Sequence, residues 1–390
     1  MSPPRPETAE ILRQHTTTFH QRHGNSISAE QARALRDLVR CRTAALGGHR
    51  QRCDRCEHEI VLYNSCRNRH CPKCQAMARA RWLEARRAEL LEVPYCHVVF
   101  TLHRGLAPLA RANPRQLYEL LFRAAAETLL TVARDRLGGE LGLLAILHTW
   151  GQTLQHHPHL HCLVPAGGLA ADRSCWIPCR KGFFLPVRVL SCVFRGKLLA
   201  RLDEAYRQRK LVLTGALEPL AEARRWQGWL RELRRSDWVV YAKPPLGGAD
   251  VVLKYLARYI HRVAISNDRL LGHEDGRVRL RWKDYRRGGR QRILELDAVE
   301  FIRRFLQHVL PRGFVRIRYF GFLAARVRTR KLALIRRLLP PAEAPDVPAP
   351  PPVVSPAQPV DRCPRCGEGR LVIVARVEPR PVPTAFHDTS

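Results

Sequence analysis

Residues 143–164 read LLAILHTWGQTLQHHPHLHCLV, and the fold turns on how this stretch is read. Leu143–Trp150 and His159–Val164 read as two strands, close enough along the chain to pair antiparallel. His159 and His161 alternate around Leu160, so on a strand both rings leave the same face with Cβ atoms roughly 7 Å apart. Cys162-Leu163-Val164 continues the strand, and the Pro165–Gly168 run ends it. A His-x-His pair alone is more often two satisfied strand histidines than a metal site. Five histidines within residues 148–161 favour a shared ion. Neutral imidazoles suit magnesium, manganese or zinc with positions left open for phosphate oxygens. A third ligand has two main candidates. His157 lies on the same face, but Pro158 distorts a strand there. His148 lies on the preceding strand and is favoured, with Gln152 and Gln155 as further candidates.

Outward from this hairpin, the pattern is α+β: an antiparallel sheet with helices packed on it and no regular βαβ rhythm. Tyr95–Leu102 reads as a strand and Pro114–Leu137 as a helix. Leu190–Arg207 and Leu217–Leu233 read as helices, and Trp238–Ala242 as a short strand. Val251–Ala264 reads as a helix capped by Asp250. Val278–Trp282 is a strand, Ala298–Val309 a helix and Val315–Tyr319 a strand. Four regions follow. Residues 1–91 combine N-terminal helical turns, a cysteine-rich module and the basic helix Ala76–Leu91. Residues 92–339 form the larger α+β region. Residues 340–360, with nine prolines, form a stiff linker. Residues 361–390 form a tail with a CxxC knuckle.

The chain has 390 residues and is 45% hydrophobic, so it builds a substantial core. Lys and Arg total 67 against 35 acids, a net charge of +32. That surplus is spread along the chain and attracts polyanions, nucleic acid before an anionic membrane. No apolar run is long enough to span a bilayer, and residues 1–15 lack a signal-peptide core. A cytoplasmic, nucleoid-associated protein is expected, with its 13 cysteines serving as metal ligands or buried thiols.

Cys53-Asp-Arg-Cys56 and Cys71-Pro-Lys-Cys74, 14 residues apart, read as two knuckles completing one structural zinc site. Cys41, His49, Cys66 and His70 supply the remaining candidates for a second, so one or two zincs are expected. The module has no apolar core of its own, so metal must hold it. Nearby Arg67, Arg69 and Lys73 suggest that it grips DNA. Cys363 and Cys366 form only half a site, a degenerate ribbon or one shared across a homo-oligomer; a closed site within one chain is not expected.

Tyr255 and Tyr259, at i and i+4, share one helix face. They fit a buried stripe with Val252, Leu256 and Val263, or a pair of nucleophiles. A tyrosine oxygen can attack a metal-polarised DNA phosphate, keeping the bond as a 5′-phosphotyrosine and freeing a 3′-hydroxyl. Lys254, Arg258 and Arg262 border the pair and are candidate phosphate contacts. Trp226, Trp229 and Trp282 are candidates for base stacking or for core.

Four blocks carry a resemblance: LGGHRQRCDRCEHEIVLYNSCRNRHCPKCQ, LHTWGQTLQHHPHLHCLVPAGGL, YLARYIHRVAISNDRL and EFIRRFLQHVLPRGFVRIRYFG. In order and spacing they resemble the transposases of the IS91 family, from about residue 35 to 330. The resemblance implies a two-tyrosine HUH enzyme with an N-terminal zinc-binding domain, moving DNA by a rolling-circle route. It implies that His159 and His161 bind the catalytic metal and that Tyr255 and Tyr259 are the paired nucleophiles. Cys53, Cys56, Cys71 and Cys74 match its cysteine block. The expected partner is single-stranded DNA at element ends, with magnesium or manganese at the HUH site. The rivals are a replication initiator or relaxase of the same chemistry and a non-catalytic zinc-finger DNA-binding protein. A carboxylate-triad enzyme has weaker support, since Asp237, Asp250, Asp268 and Asp284 show no distinctive spacing.

Overall fold

A computed structural model describes residues 6–87, 89–180, 184–246, 251, 264–340 and 362–380. Its centre is a five-stranded antiparallel sheet in the order β13-β5-β6-β3-β9. These strands are β3 (Tyr95–Thr101), β5 (Gly142–Trp150), β6 (His156–Pro165), β9 (Val240–Leu246) and β13 (Ile317–Gly321). The histidine-rich strand β6 is the middle one, and the Leu143–Trp150 segment is its neighbour, paired Leu147 to Leu160 and His148 to His159. On the other side Val99 pairs with His161 and Thr101 with His159.

Strand alternation gives the sheet two unlike faces. Leu160, Cys162 and Val164 point into the main core with Phe100, Leu143 and Leu147. Helices α5 (Pro114–Leu137) and α6 (Val187–Arg207) cover that face, supplying Leu121, Phe122, Leu129, Phe194 and Leu198. Proline at the first turn and Gly138 in the left-handed conformation bound α5, the positions where each residue is least costly. Each fully buried Leu or Phe contributes roughly 1.5–3 kcal/mol. The opposite face is split along its length. At one end Leu144, Ile146 and Leu163 pack beneath Phe322, Leu332 and Ile335. At the other end the histidines face a cavity.

A third core joins segments far apart in sequence. Helices α1 (Thr8–His23) and α2 (Ala29–Arg40) contribute Ile11, Leu12, Phe19, Leu35 and Leu38. Strands β10 (Leu270–Glu274), β11 (Arg277–Asp284) and β12 (Arg290–Asp297), with helix α8 (Ala298–Leu306), contribute Leu270, Leu280, Phe301 and Phe305. Ser28 caps α2, its hydroxyl accepting from Gln31 N–H at 3.2 Å.

The single sheet expected from the sequence is accompanied, among the described residues, by three small three-stranded sheets. The expected helix Leu217–Leu233 is two pieces: a 3-10 stretch Gly215–Ala221 holding Pro219, then α7 (Ala223–Arg235). Proline removes a backbone donor and breaks the continuous ladder. The residue 41–75 region, read as a metal-held module without an apolar core, carries β1 (Gly48–Cys53) and β2 (Glu59–Tyr63). The tail is folded as well, with β14 (Leu371–Val377) paired antiparallel to β1. The helix read over Val251–Ala264 lies outside the described residues except at its two ends.

Candidate active site and cysteine tetrads

His148, His159 and His161 bring one ligand nitrogen each to within 4.8 Å of one another. Cross-strand pairing explains two of them: His148 sits directly opposite His159, and His161 follows two residues later on the same face. Their ring centroids lie 5.5 Å (His148 to His159), 4.3 Å (His148 to His161) and 4.9 Å (His159 to His161) apart. The ladder shifts register between His148 and Trp150, beside Pro158, which has no N–H to offer. His148 is buried and stacks on Trp150 with centroids 4.4 Å apart. Small rotations about the side-chain bonds would place three nitrogens on one ion at bonds of about 2.1 Å.

Outer partners orient two of these rings. His159 Nδ1 donates to the His157 carbonyl at 2.7 Å, which leaves Nε2 with a lone pair. His161 Nδ1 and His97 Nε2 are hydrogen-bonded at 2.8 Å, their rings stacked within 6°. Burial lowers the His159 and His97 pKa values to about 4. Burial, then the neighbouring His148, His159 and His97, holds His161 well below the ordinary value. These imidazoles are therefore neutral near pH 7, the form that binds a metal. Three imidazole nitrogens without a carboxylate leave an ion's charge and its remaining positions for substrate oxygens.

The triad opens into a cavity of about 1000 Å³. Lys243, Arg269, Trp282 and Lys283 line it with His97 and His157. Two exposed phenols, Tyr241 and Tyr285, lie on the same cavity. Sequence reasoning missed His97, although it sits in the strand read at Tyr95–Leu102; only the pairing of β3 with β6 brings it to His161. Tyr255, Tyr259, Lys254, Arg258 and Arg262 lie outside the described residues. Trp226 is fully buried and stacked on Tyr206 at 4.2 Å, so it is core, whereas Trp282 faces the cavity.

The cysteines group differently from their spacing. Cys53 and Cys56 do not meet Cys71 and Cys74. One tetrad is Cys41, Cys66, Cys71 and Cys74; the other is Cys53, Cys56, Cys363 and Cys366. The tail knuckle, expected to stay half a site within one chain, thus completes a tetrad in the same chain. Four thiolates bound tetrahedrally at about 2.3 Å stand about 3.8 Å apart. Here Cys41 to Cys74 is 3.6 Å, Cys66 to Cys74 3.7 Å and Cys71 to Cys41 3.7 Å. The donor set and spacing suit structural zinc. Hydrogen bonds from Cys66 and then Cys71 drive Cys41 toward thiolate.

His49 and His70 belong to neither tetrad. His49 sits in β1 between Arg376 and Leu62. His70 is buried, hydrogen-bonded to Asn68 Oδ1 at 3.0 Å, and accepts from Leu310 N–H at 3.1 Å. Of the expected DNA contacts in this region, Arg67 is exposed. Arg69 is partly buried and donates to the Phe314 carbonyl at 2.8 Å, and Lys73 pairs with Glu7 at 2.7 Å.

No described helix is long and apolar enough to cross a membrane. No solved structure matches the chain. A family described as "Putative transposase" matches residues 142–331, and one described as "Transposase zinc-binding domain" matches residues 11–102. The chain is similar to "Putative transposase y4qJ" of Sinorhizobium fredii, 50% identical over 398 residues covering 99% of each. It is also similar to the "Transposase for insertion sequence element IS801" of Pseudomonas savastanoi pv. phaseolicola, 32% identical over 74% of this chain and 69% of that one. Both of its main regions matching transposase families, and nearly its whole length aligning with a relative, this chain belongs to the IS91/IS801 family of transposases.

Proposed function

We propose that this transposase cuts and rejoins single-stranded DNA by HUH-type chemistry, through a 5′-phosphotyrosine and a rolling-circle route. The observation that supports it is the convergence of His148, His159 and His161 in a cavity that also holds Lys243, Arg269 and Lys283. A divalent ion such as magnesium or manganese held there supplies polarisation of the scissile phosphate. The remaining work falls to the chain. Cavity cations hold the phosphodiester, and Trp282 stacks on an unpaired base. Tyr255 or Tyr259 attacks phosphorus through its phenolic oxygen. The new O–P bond forms as the bond to the 3′ oxygen breaks; that oxygen takes up a proton and the phenol releases one. A 3′-hydroxyl attacking the phosphotyrosine reverses the step and joins strands, and a second tyrosine lets two strands be held together. Lys254, Arg258 and Arg262 border the tyrosines in sequence and suit phosphate. The tetrad Cys41, Cys66, Cys71 and Cys74 holds structural zinc, with exposed Arg67 beside it for DNA.

The test incubates the protein with labelled single-stranded oligonucleotides from element ends, with magnesium or manganese, and seeks a covalent adduct on a denaturing gel. The expected adduct requires metal, is lost in His161→Ala and in Tyr255→Phe or Tyr259→Phe, and persists in Tyr241→Phe and Tyr285→Phe. Binding without any adduct would favour a non-catalytic DNA-binding protein. An adduct confined to a plasmid origin would favour a replication initiator or relaxase.

A further inference from the structure

We propose that Cys53, Cys56, Cys363 and Cys366 form a second structural zinc site that clasps the C-terminal segment 362–380 onto the N-terminal cysteine region. Cys363 and Cys366 lie outside both matched family segments, which cover residues 11–102 and 142–331. The site therefore unites parts of the chain more than 300 positions apart.

The two knuckles are built alike. Arg55 N–H donates to Cys53 Sγ at 3.4 Å and Cys56 N–H at 3.5 Å. On the tail side Arg365 N–H donates to Cys363 Sγ at 3.4 Å and Gly369 N–H to Cys366 Sγ at 3.3 Å. The residue after each pair, Glu57 (φ 56°) and Gly367 (φ 73°), turns through the left-handed region. Its N–H returns to the first cysteine's carbonyl, Glu57 to Cys53 at 3.2 Å and Gly367 to Cys363 at 2.9 Å. Such turns aim both sulfurs to one side and surround them with donors, which suits thiolates. Across the knuckles Cys53 Sγ stands 3.7 Å from Cys366 Sγ, and Cys56 Sγ 3.6 Å from Cys363 Sγ, close to the edge of a zinc–thiolate tetrahedron. Gly369 presses against the cluster: a Cβ there would overlap the Cys53 sulfur.

The second observation is that the sheet β14-β1-β2 lacks a core. Among the described residues, none of the three buried clusters includes a residue of these strands. Val61, Leu62, Val372, Ile373 and Val374 are exposed. Besides backbone pairing, the tail's polar ties to the knuckle are few. Asp54 exchanges backbone and side-chain hydrogen bonds with Arg370, and Arg55 pairs with Glu368 in an exposed ion pair worth little. A three-stranded sheet with this little apolar burial does not stay folded on hydrogen bonds alone. Four metal–thiolate bonds supply what the missing core does not.

Two experiments on the full chain test this. Zinc is counted per chain on wild type and on the Cys363→Ser/Cys366→Ser variant; the expected change is from two to one, one per tetrad. An unchanged count would overturn the proposal. Because the double variant can misfold, a protease site is placed in the linker within residues 341–361. After cleavage, the tail fragment is expected to co-elute with the body, at the mass of one chain, until a chelator strips zinc. A fragment that leaves while two zincs remain, or a tail held only in a dimer, would refute a clasp within one chain.

Discussion

His97 Nε2 lies 2.8 Å from His161 Nδ1, and the two rings stack with centroids 5.0 Å apart. The bond joins β3 to β6 on the face that carries the triad. If His161 uses Nε2 for the metal, its Nδ1 must carry the proton and His97 Nε2 must accept it. Removing such an outer partner costs on the order of 10–100-fold in metal affinity. His97→Ala is therefore expected to weaken manganese binding by about that factor. His97→Gln, whose amide oxygen reaches the Nε2 position, is expected to recover part of it. Calorimetric titration of the apo protein measures both; equal affinities for all three proteins would refute the role.

Acid is expected to destabilise the fold through two buried histidines, His308 and His70. Burial lowers His308 to about 4, and burial, then Arg69, lowers His70 to about 3. Both folded values lie below the unfolded value of 6.5, so the unfolded chain takes up protons first. Their contribution is complete above pH 6.5 and is lost as pH falls from there toward 4 and 3, at about 1.4 kcal/mol per unit for each group. Urea midpoints measured across this window should fall with acid, and His308→Gln should flatten the slope.

Lys243 and Lys283 line the cavity beside the triad. Replacing either with Ala is expected to lower single-stranded DNA affinity and to reduce the slope of log affinity against log salt by about 0.7. Fluorescence anisotropy over a salt series reads both quantities. An affinity loss with an unchanged slope would show that the lysine does not meet phosphate.

Two tryptophans should behave in opposite ways. Trp226 is fully buried, stacks on Tyr206 and donates from Nε1 to Asp203 at 2.9 Å. Trp226→Ala is expected to cost about 3–5 kcal/mol of stability. Trp282 lines the cavity with the Arg292 guanidinium 5.9 Å from its ring centroid. Trp282→Ala is expected to leave the melting temperature nearly unchanged and to weaken oligonucleotide binding by about 1–3 kcal/mol. Denaturation and binding measured on the same two variants separate these roles.

The legible parts of the molecule were those governed by local periodicity. The period-2 alternation of His159-Leu160-His161 sufficed to place those two on one face, and the short separation from Leu143–Trp150 favoured His148 over His157, Gln152 and Gln155 as their neighbour. The β5–β6 register sets His148 opposite His159. The apolar pattern of Pro114–Leu137 marked a helix whose bounds the structure reproduces. The break at Pro219 was written in the sequence but overlooked, because apolar residues continue on both sides of it.

Local geometry alone made legible the α+β class, the shared strand face of His159 and His161, and the knuckles Cys53/Cys56 and Cys71/Cys74, because strand pleat and CxxC turns are short-range. It did not exclude His49 and His70 as ligands or complete the Cys363/Cys366 knuckle. Partnership, by contrast, was set by the three-dimensional fold. Cys53 and Cys56 meet Cys363 and Cys366 rather than Cys71 and Cys74, and Cys41, at the end of α2, joins Cys66, Cys71 and Cys74. His97 reaches His161 only through the β3–β6 register. A knuckle of two thiolates can be completed equally well by any other knuckle. Which one arrives is set by the path of the chain and by the packing that brings distant segments together, and spacing along the sequence carries no information about that.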